Sequence, residues 1–368
     1  MKTAILCNGL SERKTDRAEL VQQLRAISHS VYIGGRMGDY IDSYYSDDTA
    51  EFLPLDASRA NTNPIIELAA IRNNQKILEK ASVDNVIIYG VKNHPSMAIA
   101  ASLAGVSKIL CVVNGSGNLF RIGGMKGRLL RFMSFPMLRI AYSKSVAVCF
   151  QNEDDRELFL KEKLISRKTN TFITGGSGVN LSLFPQSPMP AESRFLFLSR
   201  IAPMKGLGEY IRAAKIIKEK YPDAQFDIVG PFYGQISEEV IQELKESEKS
   251  GIVKYHGATS DVSGWMTKCR FFIYPSYYPE GVPRCALQAL STGRPVITCN
   301  TPGCKETVVD GYNGFLVEPR NVEALAAKIE EFIDHPETVE QMGKNSRQLA
   351  EEKFDVEKIN ETLIKYIV

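Results

Sequence analysis

Short apolar runs alternate with longer amphipathic stretches along almost the whole chain. The runs are Thr3–Cys7, Val31–Ile33, Val86–Tyr89, Lys108–Val113 and Ser145–Phe150, then Phe195–Leu198, Phe226–Val229, Phe271–Tyr274 and Pro295–Thr298. They are rich in β-branched and aromatic residues and end at Gly, Pro or Asn, which predicts buried strands. Between them, Ala18–Ile27, Met97–Leu103, Tyr210–Lys220 and Val322–Ile333 space their apolar residues as helices do. Strand and helix in alternation predict parallel sheets covered on both faces. The strands are too many for one small sheet.

The segment LSLFPQSPMPAES, residues 181–193, carries three prolines and interrupts the pattern. It reads as a linker, after which a second alternating series begins at Phe195. The prediction is an α/β protein of two doubly wound, Rossmann-like domains, spanning 1–185 and 186–353. A last segment, 354–368, reads as an amphipathic helix. A closed barrel is the rival architecture, disfavoured by the proline-rich break. In doubly wound folds ligands lie beyond the carboxyl ends of the strands, so the working cleft is expected between the domains.

Composition narrows the class. Of 368 residues, 44% are hydrophobic and 24% charged, enough to bury a core in each domain. A net charge of +2 argues against a nucleic-acid binder. The seven cysteines are scattered with no CxxC pair, which suits buried thiols in a reducing compartment. The amino-terminal apolar run is too short for a signal peptide, and no stretch approaches the length of a membrane span. These features predict a cytoplasmic protein or one held on a membrane surface.

Three constellations in the second half point to a phosphate-bearing ligand. Ser199-Arg200 and Lys205-Gly206 follow the strand ending at Leu198, where two cations at the mouth of a helix suit a diphosphate. A solvated loop explains the same residues. Gly230-Pro231 follows the next strand and permits close backbone approach. The third is PSYYPEGVPRCALQ, residues 275–288, in which the carboxylate of Glu280 precedes a helix expected to carry Pro283 in its first turn. The amides near Arg284 and Cys285 are then the unpaired donors of that turn. Glu280 and Gln288, eight residues apart, face either one elongated ligand or nothing more than a cap and solvent.

The segment EGVPRCALQALSTGRPVIT followed by PGCKETVVDGYNGFLV resembles the signature of retaining glycosyltransferases of family four, enzymes with the two-domain GT-B architecture. FLSRIAPMKGLGEYIRAA is similar to their phosphate-binding segment. HGATSDVSGWMTKC, containing Gly257, is similar to the segment lining the nucleotide base. The resemblance implies that Arg200 and Lys205 hold the diphosphate of a nucleotide-sugar donor, and that Glu280, with Gly281 and Val282 beside it, contacts the transferred sugar. The second glutamate of the family motif, which binds the ribose hydroxyls, is replaced by Gln288. An amide oxygen still accepts from a hydroxyl but without charge assistance, a loss of about 1 kcal/mol. The resemblance also implies retention of anomeric configuration, no required metal or other cofactor, and a final helix, 354–368, that crosses back to the first domain.

The first half supplies the acceptor side. Between Asp84 and Glu153 acidic residues vanish, while Arg121, Lys126, Arg128, Arg131 and Arg139 are interleaved with Leu, Met, Phe and Ile. An apolar face with a basic rim suits an anionic membrane surface, although snorkelling cations on a buried helix give the same pattern. SRANTNP (58–64), VKNHPSMAIAASLAG (91–105), VNGSG (113–117), FQNEDDRELF (150–159) and GSGVNLSLF (176–184) resemble, as an ordered set, the branch that builds capsule and O-antigen glycans on polyprenyl diphosphate. That branch implies a polyprenyl-diphosphate-linked saccharide as acceptor, a UDP-sugar as donor and a peripheral place on the inner face of the cytoplasmic membrane. Lys92, His94 and the loop Asn114-Gly115-Ser116-Gly117 are the expected acceptor-side residues. The alternatives are a GT-B nucleotide-sugar epimerase, and a non-catalytic nucleotide- or glycan-binding protein, suggested by Gln288.

Overall fold

A computed structural model describes residues 1–7, 17–35, 50–56 and 64–368. Residues 58–63 of the SRANTNP segment lie outside the described residues. The chain divides into two compact units, Met1–Gly176 with Val356–Val368, and Ser177–Asp355.

The first unit carries strands β1 (Lys2–Leu6), β2 (Ser30–Gly35), β3 (Glu51–Pro54), β4 (Asn85–Tyr89), β5 (Lys108–Val113), β6 (Ala147–Phe150) and β7 (Thr171–Ile173). They form one parallel sheet in the order β3-β2-β1-β4-β5-β6-β7. Its helices are α1 (Ala18–Ala26), α2 (Pro64–Ala81), α3 (His94–Leu103), α4 (Asn118–Arg121), α5 (Gly124–Lys144) and α6 (Glu153–Lys161). Alternate strand residues enter two different cores. Ala4, Leu6, Val86 and Ile88 pack with α3 and α5 on one face, while Ile5, Ile87, Tyr89 and Val112 pack with α1 on the other. A sheet buried on both faces explains why these strands read as continuous apolar runs.

The second unit holds β8 (Arg194–Leu198), β9 (Gln225–Val229), β10 (Lys254–Tyr255), β11 (Phe271–Tyr274), β12 (Val296–Cys299) and β13 (Gly314–Val317), in the parallel order β10-β9-β8-β11-β12-β13. Its helices are α7 (Leu207–Lys220), α8 (Glu238–Lys249), α9 (Val262–Lys268), α10 (Arg284–Ser291), α11 (Val322–Asp334) and α12 (Pro336–Lys353). Stacked Phe195, Phe226, Phe271 and Phe332 fill one face of the sheet. The last helix, α13 (Val356–Ile364), belongs to the first unit. Leu363 and Ile367 enter the core shared with α1, and Tyr366 stacks on Phe172 at 4.1 Å.

The proline-rich segment is a correction to the expected linker. The boundary falls at Gly176/Ser177 rather than at 185, and residues 181–193 are bound into the second unit. The cause is Arg294, whose fully buried guanidinium donates to Ser187 O, Pro188 O, Met266 O and Thr267 O at 3.0–3.2 Å. One buried cation thereby satisfies carbonyls that a helix or sheet would otherwise have to serve.

Candidate active site

In the second sheet β8 is the first strand in sequence, with β9 on one side and β11 on the other. The loops leaving β8 and β11 at their carboxyl ends therefore diverge at the switch point, where doubly wound folds bind ligands. The chain laces these two loops together. The Tyr277 amide donates to Met204 O at 3.0 Å. A Cβ on Gly206 would lie 2.2 Å from Pro275 O, so only glycine fits, and its φ of 82° caps α7. Met204 is itself left-handed at φ 69°, a strained conformation for a side-chain-bearing residue. Lys205, held between two left-handed residues, is turned inward.

Its ammonium lies 2.5 Å from Glu280 Oε1 and 2.8 Å from the Tyr274 hydroxyl. Tyr274 Oη donates onward to the same carboxylate oxygen at 2.6 Å, and Ser276 Oγ donates to it at 3.1 Å. Three donors thus converge on Glu280 Oε1. The Lys205 and Glu280 side chains are mostly buried, and Tyr278 flanks the ammonium at 5.1 Å. Burial, and then the Glu280 charge, push the Tyr274 phenol well above its ordinary value, so it stays protonated as a donor. Removing one member of such a pair leaves an uncompensated charge, a cost of about 3–5 kcal/mol.

The other expected donor residues occupy the loops after β8, β9 and β10 and the start of α10. Arg200 is exposed, its guanidinium 4.5 Å over the Tyr233 ring. Gly230, at φ 145°, brings the β9 loop against Ser199, where a Cβ would meet the carbonyl oxygen at 1.7 Å. The amides of Ile201 and Tyr233 bond to Pro231 O and Ile201 O, both at 2.8 Å, and Gly257 O accepts from the Gly230 amide at 2.7 Å. Helix α10 begins one residue later than expected. Pro283 is its N-cap, and the Pro283 carbonyl accepts from the amides of Ala286 and Leu287. Arg284 and Cys285 are its first two residues, ahead of those bonds. Gly303 touches Gly281 O so closely that a Cβ would stand 1.6 Å away, which fixes the loop carrying Glu280 and Val282. The Cys285 thiol is pushed up to about 12 by burial and is inert. Gln288 is 91% buried, being 9% exposed, and no protein group bonds its side chain among the described residues. The amide itself still meets solvent, so water or a ligand hydroxyl can complete it.

In the first unit the expected residues separate. His94 is a correction: it is fully buried, with Nδ1 3.1 Å from Tyr142 Oη and Nε2 3.2 Å from Ile88 O, and burial lowers it to about 4. It is a core residue and reaches no ligand. Lys92 is exposed just past β4. Asn114 is exposed, and its loop is tied down by the buried Asp155, which accepts from the Ser116 amide at 3.2 Å. Gly115 and Gly117 turn the chain there at φ 100° and 62°.

On α5 the expected basic patch divides. Arg131 donates to Leu119 O and Ile122 O, and Arg139 to Lys163 O and Glu162 O, so these two brace neighbouring backbone. Lys126 and Arg128 are exposed with no partner among the described residues, and Arg121 is exposed. Met125, Leu129, Phe132 and Ile140 are 85%, 61%, 79% and 47% exposed and recur on one helical face. No helix among the described residues is long and apolar enough to cross a membrane.

Arg17 escaped the sequence reading. It precedes α1 with φ 75°, and its guanidinium covers the Tyr89 ring at 3.7 Å. That places a cation where β1 and β4 diverge, the switch point of the first sheet. Only the strand order, which spacing does not give, marks it out.

Residues 184–349 match the family model for glycosyl transferases group 1. Similar proteins include the N,N'-diacetylbacillosaminyl-diphospho-undecaprenol alpha-1,3-N-acetylgalactosaminyltransferase of Campylobacter jejuni, 26% identical over 79% of this chain and 78% of that protein. The UDP-Gal:alpha-D-GlcNAc-diphosphoundecaprenol alpha-1,3-galactosyltransferase of Escherichia coli is 25% identical over 88% and 86%. Among solved structures, Anabaena HepE in complex with UDP superposes with a TM-score of 0.79 at 18% identity, covering 99% of each chain. A glycosyltransferase from Rickettsia africae gives 0.78 at 18% identity, covering 100% and 97%. Residues 184–349, most of the second unit, thus carry the match to glycosyl transferases group 1, and the chain as a whole has the GT-B fold of these solved glycosyltransferases.

Proposed function

We propose that the protein is a retaining hexosyltransferase that moves a sugar from a UDP-sugar to a polyprenyl-diphosphate-linked saccharide in the assembly of a bacterial surface polysaccharide. The observation that carries this reading is the convergence of Lys205, Tyr274 and Ser276 on Glu280 at the second sheet's switch point. A carboxylate held by three donors cannot swing, so it positions a hexose hydroxyl and stabilises positive charge growing at the anomeric carbon. Lys205 and the exposed Arg200 supply positive charge for the departing diphosphate, with the first amides of α10 adding directed donors. In this reading the bond from C1 to the phosphate oxygen breaks as the acceptor oxygen bonds to C1 on the same face. The acceptor's proton passes to the departing phosphate.

The acceptor class rests on the two relatives, whose names give undecaprenyl-diphosphate-linked substrates, and UDP on the galactosyltransferase and on HepE. In this reading Arg17, over the Tyr89 ring, and Lys92, just past β4, receive the acceptor's diphosphate. The exposed stripe on α5, flanked by Lys126 and Arg128, suits a peripheral seat on an anionic membrane.

The test is transfer from a panel of UDP-hexoses and UDP-N-acetylhexosamines to a short-chain polyprenyl-diphosphate glycan, with the new linkage read by NMR. We expect an added sugar with the donor's anomeric configuration, at a rate unchanged within twofold by EDTA. An inverted linkage overturns the retaining mechanism, and loss of activity in EDTA overturns metal independence.

A further inference from the structure

The first unit contains a depression of about 690 Å³ apart from the donor and acceptor residues above. It lies where the carboxyl end of α5, the end of α6 and the loop 162–169 meet. Leu160, Leu164 and Ile165 are among its lining residues, with Tyr142 beneath. Arg139, Lys161, Lys163 and Arg167 line it against a single carboxylate, Glu157, a balance of four positive charges to one negative. Glu157 lies 3.5 Å from Arg156. Lys161, Lys163 and Arg167 make no side-chain bond among the described residues. Like charges gathered around a concavity repel, and an anion relieves them.

The cationic edge is built, not loose. Lys163 follows the end of α6 with φ 55°, where its amide bonds to Leu160 O and that of Leu164 to Phe159 O. This is a helix terminus that glycine fills with least strain, and here a lysine occupies it. Arg139 Nε locks the turn by donating to Lys163 O at 2.8 Å. The Thr169 hydroxyl fastens the far side by accepting from the Ser166 amide at 3.0 Å.

The place of the depression narrows its ligand. Arg139 and Ser143 continue the helical face that exposes Met125, Leu129, Phe132 and Pro136. The apolar stripe of α5 thus runs into the cationic depression along one line. We propose that this depression binds the phosphate headgroup of an anionic phospholipid, holding α5 on the membrane by a specific site in addition to general apolar contact. The proposal rests on the membrane reading of α5 given above. The phosphate would sit among Lys161, Lys163 and Arg167, with the lipid's first apolar atoms near Leu160 and Leu164.

The test is flotation of the full chain with vesicles of phosphatidylcholine alone or mixed with phosphatidylglycerol. It compares the natural protein, Lys163→Gly/Arg167→Gln and Leu129→Ser/Phe132→Ser. Lys163→Gly removes a cation while relieving the left-handed strain, so its melting temperature should hold or rise, which separates lost binding from lost folding. We expect the pocket variant to lose at least tenfold in partition to phosphatidylglycerol vesicles and to match the natural protein on phosphatidylcholine. The stripe variant should lose binding to both. Unchanged phosphatidylglycerol binding by the pocket variant, with the stripe variant defective, overturns the pocket and leaves the membrane reading standing. A stripe variant that binds both vesicles normally overturns the membrane reading and the pocket with it. Binding of soluble glycerol 3-phosphate that is lost in the pocket variant, without any change in flotation, overturns the lipid as ligand.

Discussion

At the scale of single residues, Gln288 bears on the donor site and His94 on the pH dependence of stability. Gln288 stands where the motif that this segment resembles has a glutamate, and its amide, bonded to no protein group among the described residues, stays open to solvent. Gln288→Glu should lower the donor KM about fivefold, the worth of one charge-assisted hydrogen bond of about 1 kcal/mol, with kcat little changed. Steady-state kinetics against the donor reads this, and an unchanged or raised KM would remove Gln288 from the nucleotide site. His94 was legible as a histidine near a strand end, but not as a core residue. What hid this was Tyr142, forty-eight positions away, which closes over it. Its value of about 4 in the fold lies below the ordinary 6.5, so between those limits the unfolded chain takes up a proton that the folded chain refuses. Stability is therefore lost as pH falls from 6.5 to about 4, by roughly 3 kcal/mol. In urea titrations at pH 7 and 4.5, His94→Gln should lose clearly less stability on acidification than the natural protein. Equal losses would contradict this account of the burial.

At the scale of elements, the interior strands were readable and the edges were not. Among the described residues, the four strands absent from the apolar pattern, β3, β7, β10 and β13, are the four sheet edges. An edge strand is paired on one side only, and three of these are short, with mixed burial, so no continuous apolar run betrays them. The loops after β8 and β11 were readable as cations and a carboxylate, but not as a laced pair, because the lacing is done by backbone at Gly206 and Met204. Gly206→Ala should therefore act well beyond its size. The Cβ meets Pro275 O, which pushes the Lys205 and Glu280 loops apart, so unfolding free energy should drop by about 2 kcal/mol or more and donor affinity more than tenfold. Gly257→Ala is the control. Gly257 also has a positive φ but open space around it, so the cost should stay near 1 kcal/mol. Similar losses from both, measured by denaturation and donor titration, would show that the close approach at Gly206 is not what sets the site.

At the scale of the whole molecule, the duplication of doubly wound units followed from the two series of alternating runs. The exact boundary did not, because three prolines look like a linker whether or not a buried arginine pins them down. Arg294 stands in TGRPVIT as one charge beside an apolar strand, and nothing local shows that its partners lie at Ser187 and Pro188. The central claim is that the donor is held at the second unit's switch point by a network in which Tyr274 joins Lys205 to Glu280. The direct measurement is calorimetric titration of UDP and a UDP-hexose into the full chain and into Tyr274→Phe and Lys205→Ala, beside transfer rates for each. The account predicts UDP-hexose binding that weakens about tenfold in Tyr274→Phe and a hundredfold or more in Lys205→Ala, with transfer falling at least as far. Binding and transfer unchanged in both variants would contradict it.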